Sequence, residues 1–139
     1  MKGEDEPVSS DEFVVRCIWT FNYKPALAEP IVREAFEPRK DEFDGISVYR
    51  LACLTSAEQA LEAFADDKRD RYAIALLSVA EIEKLGLSVV PAKIDVVPGH
   101  AVLPELNITA FQTDRVNCRQ LQTRLAGIAN RNIVRGPKG

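Results

Sequence analysis

Five apolar runs, FVVRCIWTF, ISVYRLACL, YAIALLS, LSVVP and HAVLPEL, recur along the chain, and proline, glycine or charge cuts each off within nine residues. That punctuation constrains the fold more than any other feature, because runs of this length rich in β-branched and aromatic side chains make strands. In the first run, one-residue alternation sets Val14, Arg16, Ile18 and Thr20 on one face. Val15, Cys17, Trp19 and Phe21 lie on the other, which reads as the core face and leaves Arg16 snorkelling or placed for a partner. In the second run Ile46, Val48 and Arg50 oppose Ser47, Tyr49 and Leu51. YAIALLS is almost wholly apolar and predicts a buried central strand. HAVLPEL predicts an edge strand, since Pro104 cannot donate to a ladder.

Short helical signals fall between these runs. Pro30 suits a first helical turn, so PIVREAF reads as a short helix. FEPRKDEFDG is a polar loop closing in an Asp-Gly turn. Thr55 with Glu58 forms a capping box that predicts a helix over about 56–65, burying Ala57, Ala60, Leu61 and Phe64. DDKRDR reads as a solvated connection, and KIDVVPG as a turn-rich link. Ser78 with Glu81 repeats the capping box, and Gly86 supplies a left-handed stop. Cys118, Leu121, Leu125 and Ile128 recur at helical spacing, predicting an amphipathic helix over 114–129 capped by Thr113. The expected architecture is a single α+β domain over residues 13–130, with a mixed sheet of about five strands, three or four short helices and the C-terminal amphipathic helix.

Charge is divided between the ends. Residues 1–12 carry a net −4 and read as a disordered acidic tail; residues 112–139 carry a net +5, and 131–139 read as a flexible basic tail. The two ends could attract each other or meet separate partners. A net charge of −3 and a pI near 5.3 argue against a surface built as a whole for nucleic acid. Cys17, Cys53 and Cys118 fit neither a disulfide framework nor a zinc site and read as buried free thiols. With no membrane-length apolar run and no signal-peptide pattern at the start, a cytoplasmic location is expected. No cofactor motif occurs. The Asp66, Asp67 and Asp70 cluster is interleaved with Lys68, Arg69 and Arg71, so it reads as a mixed-charge turn rather than a metal site.

Chemistry is sparse. His100, the sole histidine, follows a Pro-Gly turn, where its backbone can be held rigidly for proton transfer; the plainer reading is a turn histidine bonded to a carbonyl. In DGISVYR, the Asp44-Gly45 turn can project backbone donors, Ser47 offers a hydroxyl and Arg50 can grip a phosphate or carboxylate. With Arg16 and His100 these could line one cleft for an anion; the plainer reading is an ordinary turn and strand. On the last helix, Arg115 and Arg119 flank one side of the apolar stripe and Arg124 the other, continued by Arg131 and Arg135. Such a stripe fits a helix docked in a partner's groove, or one packed on its own sheet with solvated arginines.

DGISVYR, followed some fifty residues later by PGHAVL, resembles a pattern of small uncharacterised bacterial proteins: DG-[IL]-S-V-x-R and a later P-[GA]-H-A. The resemblance spans about thirteen residues and implies no established activity. It points to Asp44, Gly45, Ser47, Arg50 and His100 as one constellation.

Two functional expectations follow. The first is an accessory protein that binds another macromolecule, above all a protein partner, through Arg115, Arg119, Arg124, Arg131 and Arg135. The second is an enzyme or sensor for a phosphate-bearing or nucleotide-like small molecule, in which Arg16 and Arg50 hold the anion, His100 moves a proton and Ser47 positions or attacks. Nucleic acid ranks below both, since the chain is acidic and its last helix lacks interleaved aromatics.

Overall fold

The computed structural model describes residues 3–39, 42–92 and 96–138. Parts of three expected segments, the acidic start, the FEPRKDEFDG loop and the KIDVVPG link, therefore lie outside the described residues, as does Gly139.

The apolar runs form strands as their composition dictates: β1 (Phe13–Trp19), β2 (Ile46–Arg50), β3 (Tyr72–Ser78), β4 (Val90–Pro91) and β5 (His100–Leu103). A sixth, β6 (Ile133–Arg135), joins them in one sheet of order β4-β5-β2-β1-β3-β6. Every pairing is antiparallel, which corrects the expected mixed sheet. The reason is where β1 sits. β2 and β3 both run antiparallel to β1 and so parallel to each other, but β1 lies between them and no parallel pair forms. β5 pairs with both β2 and β4, so it is interior rather than an edge; Pro104 lies just past its end, where no ladder donor is needed.

Both faces of the sheet are covered, not one. Val14 and Ile18 of β1 join Ile46, Val48, Ala75, Leu77, Ala101 and Leu103 in the larger core. Over it lie α1 (Val79–Lys84), α3 (Arg115–Asn130) and a 3₁₀ turn at Arg33–Phe36. On the opposite face Val15, Cys17, Tyr49 and Ile74 pack against Leu54, Ala60 and Leu61. A strand buried on both faces cannot alternate in polarity. That is why YAIALLS reads as nearly continuous apolar sequence.

The short helical segments tighten. PIVREAF yields only the 3₁₀ turn Arg33–Phe36, residues 57–63 are 3₁₀ rather than α, and DDKRDR is a further 3₁₀ turn at Asp66–Arg71. The Thr55–Glu58 box does not form: the Thr55 amide and hydroxyl both donate to Gln59 Oε1, one residue further on. At Ser78 the box half-forms, with Oγ accepting from the Glu81 amide and Gly86 turning the chain at φ +83°. Before the last helix stands an additional one, α2 (Ile108–Thr113), capped by Asn107 accepting from the Ala110 amide. Thr113 therefore ends α2, and Asp114 precedes α3.

The chain ends carry structure. Glu12 is buried and pairs with Arg50 at 2.9 Å, and Ile133–Arg135 closes the sheet beside β3, so neither expected tail is wholly outside the fold. In the described ion pairs Glu12 meets Arg50 and Arg131 meets Glu81, so the opposed charges of the ends are satisfied elsewhere.

On the buried side of α3, Cys118 and Leu125 flank Gln122, which is 0% exposed and whose Oε1 and Nε2 have no hydrogen-bond partner among the described residues. A buried amide without partners carries its desolvation cost unrepaid. Gln122→Leu is therefore expected to raise the unfolding free energy by about 1–2 kcal/mol, read as a higher urea midpoint at unchanged slope. A lower midpoint would show that the amide is satisfied in solution.

Candidate functional site

The site begins with a failure of strand pairing. β1 and β2 pair at Val14–Arg50 and Val15–Tyr49, and past that point their ladder stops. Backbone groups of β2 and β1 beyond it need other partners. Side chains supply them. Arg16 Nη1 donates to the Ser47 carbonyl at 2.7 Å, the Ser47 amide donates to Glu42 Oε2 at 2.7 Å, and Arg39 Nη2 donates to the Cys17 carbonyl at 3.2 Å.

These side chains lock one another. Arg16 Nη1 meets Glu42 Oε2 at 2.9 Å, its Nε and Nη2 both donate to the Ala35 carbonyl, and Glu42 Oε1 accepts from the Arg39 amide at 2.8 Å. Arg16 is thus neither snorkelling nor open: it is 2% exposed and engaged along its whole guanidinium. Burial pushes the Glu42 carboxyl up, but the charge and hydrogen bond of Arg16, with the Arg39 amide, more than reverse that and hold it at about 2. Burial, and then the charge of Arg16, lower Arg39 from its ordinary value.

Beside this strut lies a cleft of about 260 Å³ lined by Arg16, Cys17, Arg39, Glu42, Ser47, Tyr49, Ala63, Phe64 and His100. Ser47 and His100 are diagonal neighbours on β2 and β5, where Ser47 pairs with Val102 and Tyr49 with His100. Ser47 Oγ and His100 Nε2 lie 3.0 Å apart. The imidazole sits 5.5 Å from the Tyr49 ring, and its carbonyl accepts from the Ala92 amide at 3.0 Å. The preceding Gly99, at φ +82°, donates its amide to Glu4 Oε1 and accepts the Arg50 amide at its carbonyl. A second cleft of about 390 Å³ shares Glu42, Ser47 and His100 with the first and adds Asp44, Gly45, Pro91, Ala92 and Val102.

Of the sequence candidates, the fold brings Arg16 to the first cleft, Asp44 and Gly45 to the second, and Ser47 and His100 to both. Arg50 is not among them. It sits opposite Val14 in the closed part of the β1–β2 ladder, where it is 0% exposed and donates to both Glu12 oxygens and to the Glu6 carbonyl at 2.6 Å. Gly45 has a packing reason of its own: at φ +128°, a Cβ there would stand 2.2 Å from the Leu103 carbonyl oxygen. Arg39, Glu42, Tyr49 and Phe64 are site residues that sequence reasoning does not find. The first two sit in a polar loop with no periodicity, and the others read as ordinary strand and helix positions.

The arginine series of the last helix is dispersed. Its apolar stripe, Cys118, Leu125 and Ile128, is buried against the molecule's own sheet. Arg115 lies over Phe111 at 4.9 Å, Arg131 pairs with Glu81 at 2.7 Å, and Arg135 donates to the Arg69 and Tyr72 carbonyls. Arg119 and Arg124 are exposed. The three cysteines are buried, and burial pushes the Cys17 thiol at the cleft up to about 11, so it is not a thiolate at neutral pH. Among the described residues no cluster of His, Cys, Asp or Glu is arranged for a metal ion, and no helix is long and apolar enough to cross a membrane. No family model, curated protein or solved structure matches the chain.

The strut makes a pH-dependent prediction. The folded Glu42 carboxyl titrates near 2 against an ordinary 4.5, so its charge stabilises the fold fully above about pH 5, and that contribution is lost as pH falls toward 2. Glu42→Gln should cost roughly 3 kcal/mol at pH 7, with the gap from wild type narrowing in urea unfolding between pH 5 and pH 2.5. A gap independent of pH would show that the carboxylate charge contributes nothing.

Proposed function

We propose that the cleft at Ser47 and His100 binds a small phosphate-bearing molecule and that this pair exchanges a proton with it. One observation carries the reading: a hydroxyl and an imidazole, 53 residues apart in sequence, meet at 3.0 Å in a cleft where two guanidinium groups face one carboxylate. That excess of positive charge in a desolvated wall attracts an anion. The second cleft, bordered by Glu42 and Asp44, has the opposite balance.

Arg39 is the anion's contact in this reading. Arg16 already serves Glu42, Ala35 and Ser47, whereas Arg39 makes its guanidinium contacts to the Cys17 carbonyl and the Phe64 ring. A bound phosphate would relieve a cation that burial disfavours. Ser47 and His100 have the spacing of a hydroxyl and its general base, and both ride on paired strands that keep that spacing fixed. Arg39 takes the part first expected of Arg50.

The test is a thermal-shift series with inorganic pyrophosphate, ribose 5-phosphate, glucose 6-phosphate and nucleoside monophosphates. A compound present at a hundred times its Kd stabilises by about 2.7 kcal/mol, a rise of several degrees in Tm for a chain of this size. At least one should do so, Arg39→Gln should abolish the rise and His100→Ala should weaken it. If wild type responds to none, the proposal fails.

A second reading, a protein partner on α3, is favoured by the exposure of Arg119 and Arg124 and by a groove between α1 and α3. That groove is bordered by Lys84, Leu85, Arg124, Ile128 and Arg131, and at Gly127 it is open enough that a Cβ would touch nothing. Truncation after Asn130 would remove β6, so charge reversal is the cleaner probe. A partner crosslinked in the native host should be lost from the Arg119→Glu, Arg124→Glu double variant while Tm stays unchanged; retention would exclude this surface.

A further inference from the structure

The phosphate reading gives the first cleft an occupant and leaves the second, of opposite charge, without one. We infer that the phosphate-bearing molecule is an aminoalkyl phosphate, whose ammonium group lies in the second cleft against the Asp44 carboxylate. The inference rests on the phosphate reading and adds the chemistry of the ligand's other end.

The two clefts share Glu42, Ser47 and His100; of the other charged side chains, Arg16 and Arg39 line only the first and Asp44 only the second. Arg16 and Glu42 meet at 2.9 Å, and their charges offset one another. What remains, among the described residues, is a cation in one cleft, Arg39, and an anion in the other, Asp44. Neither belongs to an ion pair with another described residue. The Asp44 side chain is exposed, yet its backbone is held by its neighbour: Gly45 is buried so close to the Leu103 carbonyl that no Cβ fits there. The acid is thereby kept in place beside the cleft.

A phosphate monoester brings close to two negative charges into this space at neutral pH. Arg39 attracts them, but Asp44 opposes them across the shared residues, and a partly desolvated wall screens that repulsion less than open water does. An ammonium group at the other end of the molecule turns the repulsion into an attraction. Its three N–H donors can meet carboxylate oxygens while the remainder stay hydrated, which suits an acid as exposed as Asp44. The exposed wall of the first cleft is mostly polar and offers little to an apolar body, so the link between the two charged ends is short. Neither end calls for a ring face or for the imidazole: the Arg39 guanidinium takes the phosphate and the Asp44 carboxylate takes the ammonium.

The test compares 2-aminoethyl and 3-aminopropyl phosphate with ethyl and propyl phosphate by isothermal titration on the full chain at low ionic strength. At least one aminoalkyl phosphate should bind roughly fivefold or more tightly than its alkyl counterpart, and added salt should narrow the gap. Asp44→Ser, which keeps a turn-forming residue before Gly45, should erase the advantage and also tighten the alkyl phosphates, because the repulsion is gone. A purely structural role for Asp44 would weaken both classes alike, and an advantage that survives in Asp44→Ser would place the ammonium elsewhere; either result overturns the assignment. If the alkyl phosphates bind wild type as tightly as the aminoalkyl ones, the inference is overturned and the phosphate site stands. If neither class binds, the phosphate reading falls and this inference with it.

Discussion

Everything at the candidate site depends on the buried pair of Arg16 and Glu42. A sheet in which two central strands separate must satisfy the backbone groups that the ladder no longer serves. Here one guanidinium and one carboxylate serve the Ser47 carbonyl and amide, and Arg39 serves the Cys17 carbonyl. Burying two charges is costly, and their attraction repays it only when the remaining hydrogen-bonding positions are filled. In this molecule they are, by Ala35, Ser47 and the Arg39 amide. The strut therefore holds the strands apart and at the same time builds one side of the cleft between them.

A second buried ion pair, Arg50 with Glu12, works at the other end of β2, where its ladder with β1 is closed. It ties residues 4–12 to the sheet, and through Glu4 it reaches the Gly99 amide, one residue before His100. Two arginines on the same face of neighbouring strands thus have unlike duties. Arg16 points to where the ladder opens and contributes to the cleft; Arg50 sits where it is closed and anchors the chain's beginning. Nothing in their immediate sequence contexts, VVRCI and VYRLA, separates these duties, because each depends on a carboxylate supplied from a distant segment.

Local patterns were legible where local physics decides. The β-branched runs became β1, β2, β3 and β5, and the helical spacing of Cys118, Leu125 and Ile128 became α3. They misled where tertiary contacts decide. The Thr55–Glu58 box lost to Gln59, and the segment after it tightened to a 3₁₀ turn against the second core. A run as short as Ile133–Arg135 carries too little pattern to be read as a strand, yet pairing with β3 makes it one. HAVLPEL looked like an edge because of Pro104, but the strand stops one residue earlier.

By itself the sequence determined which segments become β1, β2, β3 and β5, that α and β elements would combine, and that Ser47 and His100 were, beside Arg16, Asp44 and Arg50, among the polar side chains worth watching. These follow from period, propensity and residue chemistry, all of which act within a few positions along the chain. Only the tertiary structure decided that the sheet is antiparallel throughout, that Ser47 and His100 come within 3.0 Å, that Arg39 and Glu42 belong to the cleft and that Arg50 does not. Each of these depends on strand order and on where the β1–β2 ladder ends. The partners concerned lie tens of residues apart, beyond the reach of any local periodicity.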